Sequence, residues 1–192
     1  MVKKFATIIL SVFSLYGVQS QTAQTPGWKF HSINNIGLLE GEKGSAFQLQ
    51  TIHGVQYKSW FAGAGIGIDY YKFRGLPLFF DCRKMFPLSS KDVFFVYADI
   101  GIHCNWITDK QKNDNSYYSG GDFSNGIYTD AGIGYEIGTS KKDAFLISAG
   151  YSYKALNETY TDYTPLAYDG PPVLSKNHYG LRRLTIKMGW KF

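Results

Sequence analysis

Apolar residues alternate with polar or small residues along most of the chain after residue 21, and no stretch there keeps a helical period. The clearest case is 60–71, where one parity is apolar and the other is rich in glycine. The same alternation recurs at 94–106, 127–138, 145–153 and 184–192. A period of two is that of a β-strand with two unlike faces, so the pattern predicts an all-β protein.

Turn-forming clusters divide the alternating segments into eight predicted strands. These strands are 28–40, 45–57, 60–72, 76–86, 93–107, 126–138, 144–156 and 178–192. The connections after strands two, four and six are short, whereas 108–125 and 156–177 are long and polar. With an even number of strands, both termini and the short turns lie at one end and the long loops at the other. That asymmetry is typical of outer-membrane barrels.

The first residues have the pattern of an export signal. Lys3 and Lys4 precede the apolar run 5–15, and small residues lead to a predicted cleavage after Ser20. We expect residues 1–20 to be removed and 21–192 to form a single domain. An uncleaved anchor helix is the alternative, but the apolar run is shorter than the ~20 residues that a spanning helix needs.

The composition excludes several classes of protein. The chain is 44% hydrophobic and 17% aromatic, which is too apolar for a disordered protein, and its 2 Cys are too few for a disulfide scaffold. The formal net charge of +5 includes the two lysines of the signal, so the surplus does not indicate a nucleic-acid partner.

The two parities predict which face of the sheet meets lipid. One is aliphatic with aromatic ends, and the other holds glycine and isolated charges. When a sheet closes into a barrel, no strand edge is left unpaired. A sheet in hydrocarbon requires this, because no water is present there to bond the backbone groups of a free edge. We therefore predict a closed antiparallel eight-stranded transmembrane β-barrel with a narrow, glycine-rich lumen. The alternative, a soluble lipocalin-like barrel that binds a lipid, requires an apolar interior and a polar exterior.

Tryptophans lie at the ends of the predicted strands. Trp28, Trp60 and Trp190 fall at the end that carries the termini, and Trp106 falls at the other end. Amphipathic rings favour both membrane–water interfaces, so these residues are the predicted aromatic girdles. Ordinary packing of core aromatics is the alternative interpretation.

The last strand alternates strictly and ends on an aromatic residue. Its apolar positions are Leu184, Ile186, Met188, Trp190 and Phe192. This pattern resembles the terminal-strand signature of outer-membrane barrels, which implies recognition by the barrel-assembly machinery. Gly63–Tyr71 and Leu76–Arg83 are similar to a strand–loop–strand pattern of such barrels. The chain after the signal thus resembles the OmpA-like and OmpX-like eight-stranded barrels. That resemblance implies an integral protein in bacterial outer-membrane lipid, with both termini periplasmic, and it implies no activity.

Charged residues of both signs lie on the inward parity. They are Asp69, Asp81, Asp99, Asp130 and Glu136, with Arg83, Lys154, Arg183 and Lys187. Buried ionic groups are costly unless they are paired, so we expect salt bridges that plug the lumen. A narrow pore for ions or small solutes is the alternative. An eight-stranded interior is just wide enough for side chains to fill, which favours the plug.

The sequence gives no clear catalytic, cofactor or metal site. His31 and Ser32 are adjacent and so face opposite sides of a strand, and Ser175 and His178 have no evident third partner. We therefore expect no enzymatic activity.

The two cysteines share the outward parity of neighbouring strands. The predicted register separates Cys82 from Cys104 by about seven residues, or ~23 Å, which is beyond disulfide reach. We expect two lipid-facing thiols. A metal site at His103 and Cys104 is not expected, because adjacent strand residues face opposite ways.

The second long loop contains Tyr160, Tyr163 and Tyr168 before a Pro171–Pro172 pair. Tyrosine-rich loops contact partners at a low entropic cost, so a surface ligand bound through 108–125 and 156–177 is one expectation. Packing of these rings over the barrel mouth is the alternative. The sequence predicts a structural or surface-interaction protein.

Overall fold

A computed structural model of the chain describes residues 27–89, 91–106, 118–139, 143–162 and 173–192. The predicted signal 1–20, and residues 108–117 and 163–172 of the predicted loops, lie outside the described residues. No helix within the described ranges is long and apolar enough to span a membrane.

The described residues form nine strands, and neighbouring strands run antiparallel. They are β1 Trp28–Gly41, β2 Gly44–Tyr57, β3 Trp60–Asp69, β4 Gly75–Pro87, β5 Asp92–Asn105, β6 Tyr118–Ser124, β7 Gly126–Gly138, β8 Ala144–Asp162 and β9 Val173–Lys191. Eight of them, all except β6, form the wall of a barrel. The predicted fold class is confirmed.

The barrel closes where the first and last strands meet. β1 pairs with β9 from Ile33 opposite Lys191 to Gly41 opposite Arg183. Ser32 and Phe192 continue this pairing through two backbone hydrogen bonds. The nitrogen-to-oxygen distance is 2.8 Å where the Ser32 N–H donates to the Phe192 carbonyl and 3.0 Å where the Phe192 N–H donates to the Ser32 carbonyl. Because the closed wall has no free edge, its backbone groups bond to each other, as hydrocarbon surroundings require. We call the end with Trp28 and Phe192 the terminal end and the other the loop end.

Two predicted loops contain more strand than the sequence indicated. β6 lies within the predicted loop 108–125, and β8 and β9 extend into the predicted loop 156–177. β6 pairs with 157–162 of β8, and β8 pairs with β9 as far as Asp162 opposite Val173. These six residues of β8 reach ~20 Å beyond the end of β7. The prediction was wrong here because strands beyond the lipid need no apolar face, so the alternation that identified the others is absent.

The aliphatic parity faces outward. Ile66, Ile100, Ile133 and Ile186 are 45%, 60%, 54% and 56% exposed, whereas the neighbouring residues of opposite parity point into the lumen. The exterior is apolar and the lumen is charged. This arrangement is the reverse of what a soluble lipid-carrying barrel requires, and it excludes the lipocalin-like alternative.

The four tryptophans are all about half exposed, at the two ends of the wall. Trp28 stacks on Tyr57 with 4.8 Å between ring centroids. The Lys84 ammonium lies 4.6 Å from the Trp60 ring, and the Arg74 guanidinium lies 4.1 Å from the Trp106 ring. Trp190 lies at the terminal end, opposite Asn34 of β1. Rings that lie beside cations at strand ends suit a membrane interface.

An arginine on the outer face tests whether that face meets lipid. We expect Ile100→Arg to lower the free energy of unfolding in lipid vesicles by about 2–4 kcal/mol, because the charge lies near the middle of β5. Leu174→Arg, on the part of β9 beyond the wall, is the matched control, with an expected change within about 0.5 kcal/mol. Urea titration of both variants measures the difference, and equal effects would contradict a membrane-facing surface at Ile100.

Candidate functional site

The lumen contains all nine charged residues that the sequence placed there, and each is buried. Lys191 is a tenth, also buried, which the sequence analysis did not include. Five carboxylates and five cations thus face each other in the described lumen. Lys191 lies on the same parity as Lys187, four residues away, and this spacing was the signal that could have identified it.

The ion pairs nearest the loop end centre on Asp69. Its carboxylate accepts a hydrogen bond from the Arg183 guanidinium and lies 3.2 Å from the Lys154 ammonium. The backbone N–H of Tyr71 donates to the same carboxylate at 2.7 Å, and Arg183 donates to the Ser152 hydroxyl at 2.6 Å. The Asp69 carboxylate therefore forms ion pairs with two buried cations, Lys154 of β8 and Arg183 of β9.

A second group of ion pairs lies halfway along the barrel. The Lys187 ammonium is 3.0 Å from Asp130 and 3.8 Å from Asp99. The Tyr97 hydroxyl donates to Asp130 at 3.1 Å. The Gln50 amide donates to the Tyr128 hydroxyl at 2.9 Å. These contacts join side chains from β2, β5, β7 and β9 across the interior.

Two further pairs lie toward the terminal end. Arg83 forms a bidentate pair with Asp81, at 2.9 Å from Nε to Oδ1 and 2.9 Å from Nη2 to Oδ2. Its guanidinium also faces the Phe95 ring at 5.2 Å. Lys191 donates to Glu136. Every buried lysine and arginine of the described lumen thus has an acidic partner, as ions in a low-dielectric interior require.

Apolar side chains fill the space around the ion pairs, which the sequence analysis did not foresee. The cluster toward the terminal end consists of Ile33, Ile52, Phe61, Phe79, Met85, Phe95, Tyr97, Tyr128 and Leu146. The cluster at the loop end consists of Leu39, Tyr71, Leu156 and Leu181, packed by Ala46, Phe73, Phe123 and Tyr179. The lumen is therefore a packed core as well as an ionic network.

Glycines of the wall provide the surface on which the lumen rings lie. Gly134 is the register partner of Phe95, and Gly65 is the register partner of Phe79. A Cβ added at Gly65 would lie 2.6 Å from a carbon of the Phe79 ring, and one at Gly134 would lie 2.7 Å from a carbon of the Phe95 ring. At Gly65 and Gly134 the glycine is thus explained by the ring that rests on it, and not by narrowness alone.

A serine and a histidine do meet, but in a pairing that the sequence analysis missed. Ser32 lies opposite His53 on the next strand, and its hydroxyl is 2.7 Å from the histidine Nδ1. Residues 21 apart can be paired only from the strand register. Ser32 is 5% exposed, and its N–H is bonded to the Phe192 carbonyl. The nucleophile is covered and that N–H is not free to stabilise an oxyanion, so the geometry does not favour acyl transfer.

The other considered groups remain apart. His178 shares a 2.5 Å contact with Asn157, while Ser175 lies opposite Tyr160. Within the described ranges, no group of three or more His, Cys, Asp or Glu side chains is placed to hold a metal ion.

Cys82 and Cys104 are both free thiols, the first exposed and the second half-buried. Cys82 lies opposite Ala98 and Cys104 opposite Leu76, so the two cysteines are offset by the six residues from Ala98 to Cys104. The predicted separation was therefore one residue too long, because the β4–β5 register is centred at position 90 and not between 89 and 90.

A closed antiparallel wall with an apolar exterior and a charged, packed lumen is the fold of small bacterial outer-membrane β-barrels. Two solved structures of such proteins are similar to this chain. Neisserial surface protein A is 12% identical, with 86% of this chain and 96% of that chain covered and a TM-score of 0.52. The outer membrane protein OprG from Pseudomonas aeruginosa is 11% identical, with 86% and 96% covered and a TM-score of 0.51. No family model and no curated protein matches the chain.

These comparisons confirm, at the level of fold, the resemblance to eight-stranded outer-membrane barrels. At such low identities they carry no information on ligand or role, and any conclusion about function depends on the chain's own residues.

Proposed function

We propose that the protein is an integral outer-membrane barrel that its own side chains seal, and that it acts in envelope structure or surface interaction without catalysis. The observation that carries this proposal is the filling of the lumen by paired ions and two apolar clusters. A solute path would require water beside the charged groups, whereas every buried lysine and arginine of the described lumen has an acidic partner.

Conductance distinguishes the sealed barrel from the narrow pore that is its main alternative. The full chain, reconstituted in planar bilayers, should give no reproducible single-channel steps. Reproducible conductance of the wild-type barrel would contradict the proposal. Phe95→Ala with Arg83→Ala is the comparison variant, because it removes two large side chains from the same layer of the lumen and provides a more permissive interior.

The proposed orientation places the terminal end in the periplasm and the loop end outside the cell. The supporting observation is the length of β8 and β9, which continue well beyond the wall at the loop end only. Extended strands and long loops at one end are typical of the outer face of such barrels. The extension formed by β6, β8 and β9 is then the proposed contact surface for an external ligand.

Epitope insertion tests this orientation. A tag between Glu42 and Lys43, at the loop end, should bind antibody on intact cells. The same tag between Lys58 and Ser59, at the terminal end, should bind only after the outer membrane is permeabilised. The opposite labelling pattern would contradict the orientation and leave the barrel fold unaffected.

The proposed partners are outer-membrane lipid and, during insertion, the barrel-assembly machinery. Support for the second comes from the last strand, whose apolar residues from Leu184 to Phe192 face outward along the closing seam. A strand that must pair with β1 to close the barrel is a suitable recognition element for an insertion machine.

A further inference from the structure

A notch in the barrel wall at the loop end forms a cavity of about 330 Å³. β1 turns back after Gly41, which lies opposite Arg183, whereas β9 continues beyond this point paired only with β8. Among the described residues, no strand therefore lies beside the edge of β9 above Arg183. The notch is lined by Glu42 and Lys43 of the turn and by His178 and Arg182 of β9, with Tyr71 and Tyr153 also in contact.

The notch contains two cations that the described protein leaves without an acidic partner. Lys43 and Arg182 are both exposed, and no hydrogen bond or ion pair joins either side chain to the described residues. The buried cations of the described lumen are all paired with carboxylates, whereas these two exposed cations at the notch are not. Glu42, which also lines the notch, offsets one of the two charges.

The positive field at this rim also acts on a neighbouring lysine. Lys72 lies in the turn between β3 and β4, outside the wall, with its ammonium 3.8 Å from the Tyr179 ring. Burial, and then the positive charge of Lys43, lower the pKa of the Lys72 ammonium below its usual value, against a smaller opposing effect of the Glu158 carboxylate. A bound anion would relieve this repulsion.

The surface directly below the notch is apolar. Leu184, Ile186 and Met188 follow Arg182 on the same outward face of β9, and Tyr151 lies opposite Leu184. Successive residues of one face are ~7 Å apart along a strand, so a headgroup at Arg182 places its chains beside this strip. The arrangement of two free cations above an apolar strip matches an anionic amphiphile.

We propose that the notch binds the phosphate headgroup of a membrane lipid, with Arg182 and Lys43 as the donors and the β9 strip in contact with an acyl chain. Arginine can contact a phosphate through two parallel N–H groups, and lysine adds a point charge. The inference rests on the proposed location of the chain in a membrane, because the β9 strip meets acyl chains only there.

Native mass spectrometry of the full refolded chain tests this site. The probes are dioleoyl phosphatidic acid and dioleoylglycerol, which differ only in the phosphate. We expect one phosphatidic acid to be retained at least about tenfold more strongly than the diacylglycerol, since only the phosphate can accept charge-assisted hydrogen bonds from Arg182 and Lys43. Equal retention of the two lipids would overturn the proposal.

A pair of double variants locates the binding. Lys43→Gln with Arg182→Gln should abolish the preference, whereas Lys29→Gln with Lys58→Gln, which removes the same charge at the terminal end, should leave it unchanged. Equal loss in both variants would show attraction to net charge alone and would overturn the site. Retention of the urea-resistance of the wild type shows that each variant folds.

Inorganic phosphate distinguishes a lipid from a soluble anion. At the same concentration as the lipid, it should not displace phosphatidic acid, because the β9 strip contributes to lipid binding only. Displacement would overturn the lipid assignment. None of these outcomes alters the conductance result, so failure of this site and failure of the sealed-barrel proposal can be told apart.

Discussion

Asp69→Asn should lower the free energy of unfolding in lipid vesicles by about 3–5 kcal/mol, the cost of leaving buried charges without their counter-ion. Arg183 and Lys154 both depend on this carboxylate, and all three side chains are buried. The asparagine keeps the size of the side chain and removes only its charge. Urea-induced unfolding, followed by tryptophan fluorescence, gives the value.

Asp122→Asn is the matched control for that substitution. Asp122 is exposed on β6, and no ion pair joins it to another described residue. The same chemical change there should alter stability by less than about 0.5 kcal/mol. If both asparagine variants were equally stable, the pairing of Asp69 would contribute nothing, and the ionic plug would lose its energetic basis.

Phe95→Ala should have an effect of similar size for a different reason. The ring is almost fully buried in the cluster toward the terminal end, and it faces the Arg83 guanidinium. Loss of a buried phenylalanine side chain costs about 3–5 kcal/mol through lost transfer energy and the cavity that remains. Phe86→Ala, an exposed phenylalanine near the same end of the barrel, is the control.

The contact between Phe95 and Gly134 can be tested separately by a double-mutant cycle. Gly134→Val should destabilise by about 1–3 kcal/mol, because its side chain occupies the space of the Phe95 ring. Combined with Phe95→Ala, the valine should partly fill the vacated space, so that the double variant is more stable than the sum of the single effects predicts. If the two single changes in stability simply add in the double variant, direct contact between the Phe95 ring and Gly134 would be contradicted.

The architecture could be predicted from the sequence because a membrane imposes two unlike faces on every strand. Because of that constraint, the outward orientation of Ile100, Ile133 and Ile186 could be predicted without a structure. It also placed the nine charged residues on the inward parity, where the structure has them. β6 could not be predicted in the same way, because strands outside the lipid are free of the constraint.

The partners inside the lumen could not be predicted from the pattern. Asp69 and Arg183 are 114 residues apart, and their meeting depends on the stagger of the closed barrel. Ser32 and His53 likewise meet only through the register of β1 with β2. The packing of Phe95 on Gly134 was missed because the polar parity was interpreted through its charges and glycines. Its aromatic members turn out to form much of the lumen.

Contacts between isoleucine methyl groups and lipid chains test most directly which side of the wall meets the membrane. With the full chain in lipid nanodiscs, nuclear Overhauser effects to acyl methylenes should appear for Ile66, Ile100, Ile133 and Ile186. They should be absent for Ile33 and Ile52, which lie fully buried in the lumen. Lipid contacts at Ile33 and Ile52, with none at the other four, would contradict the account.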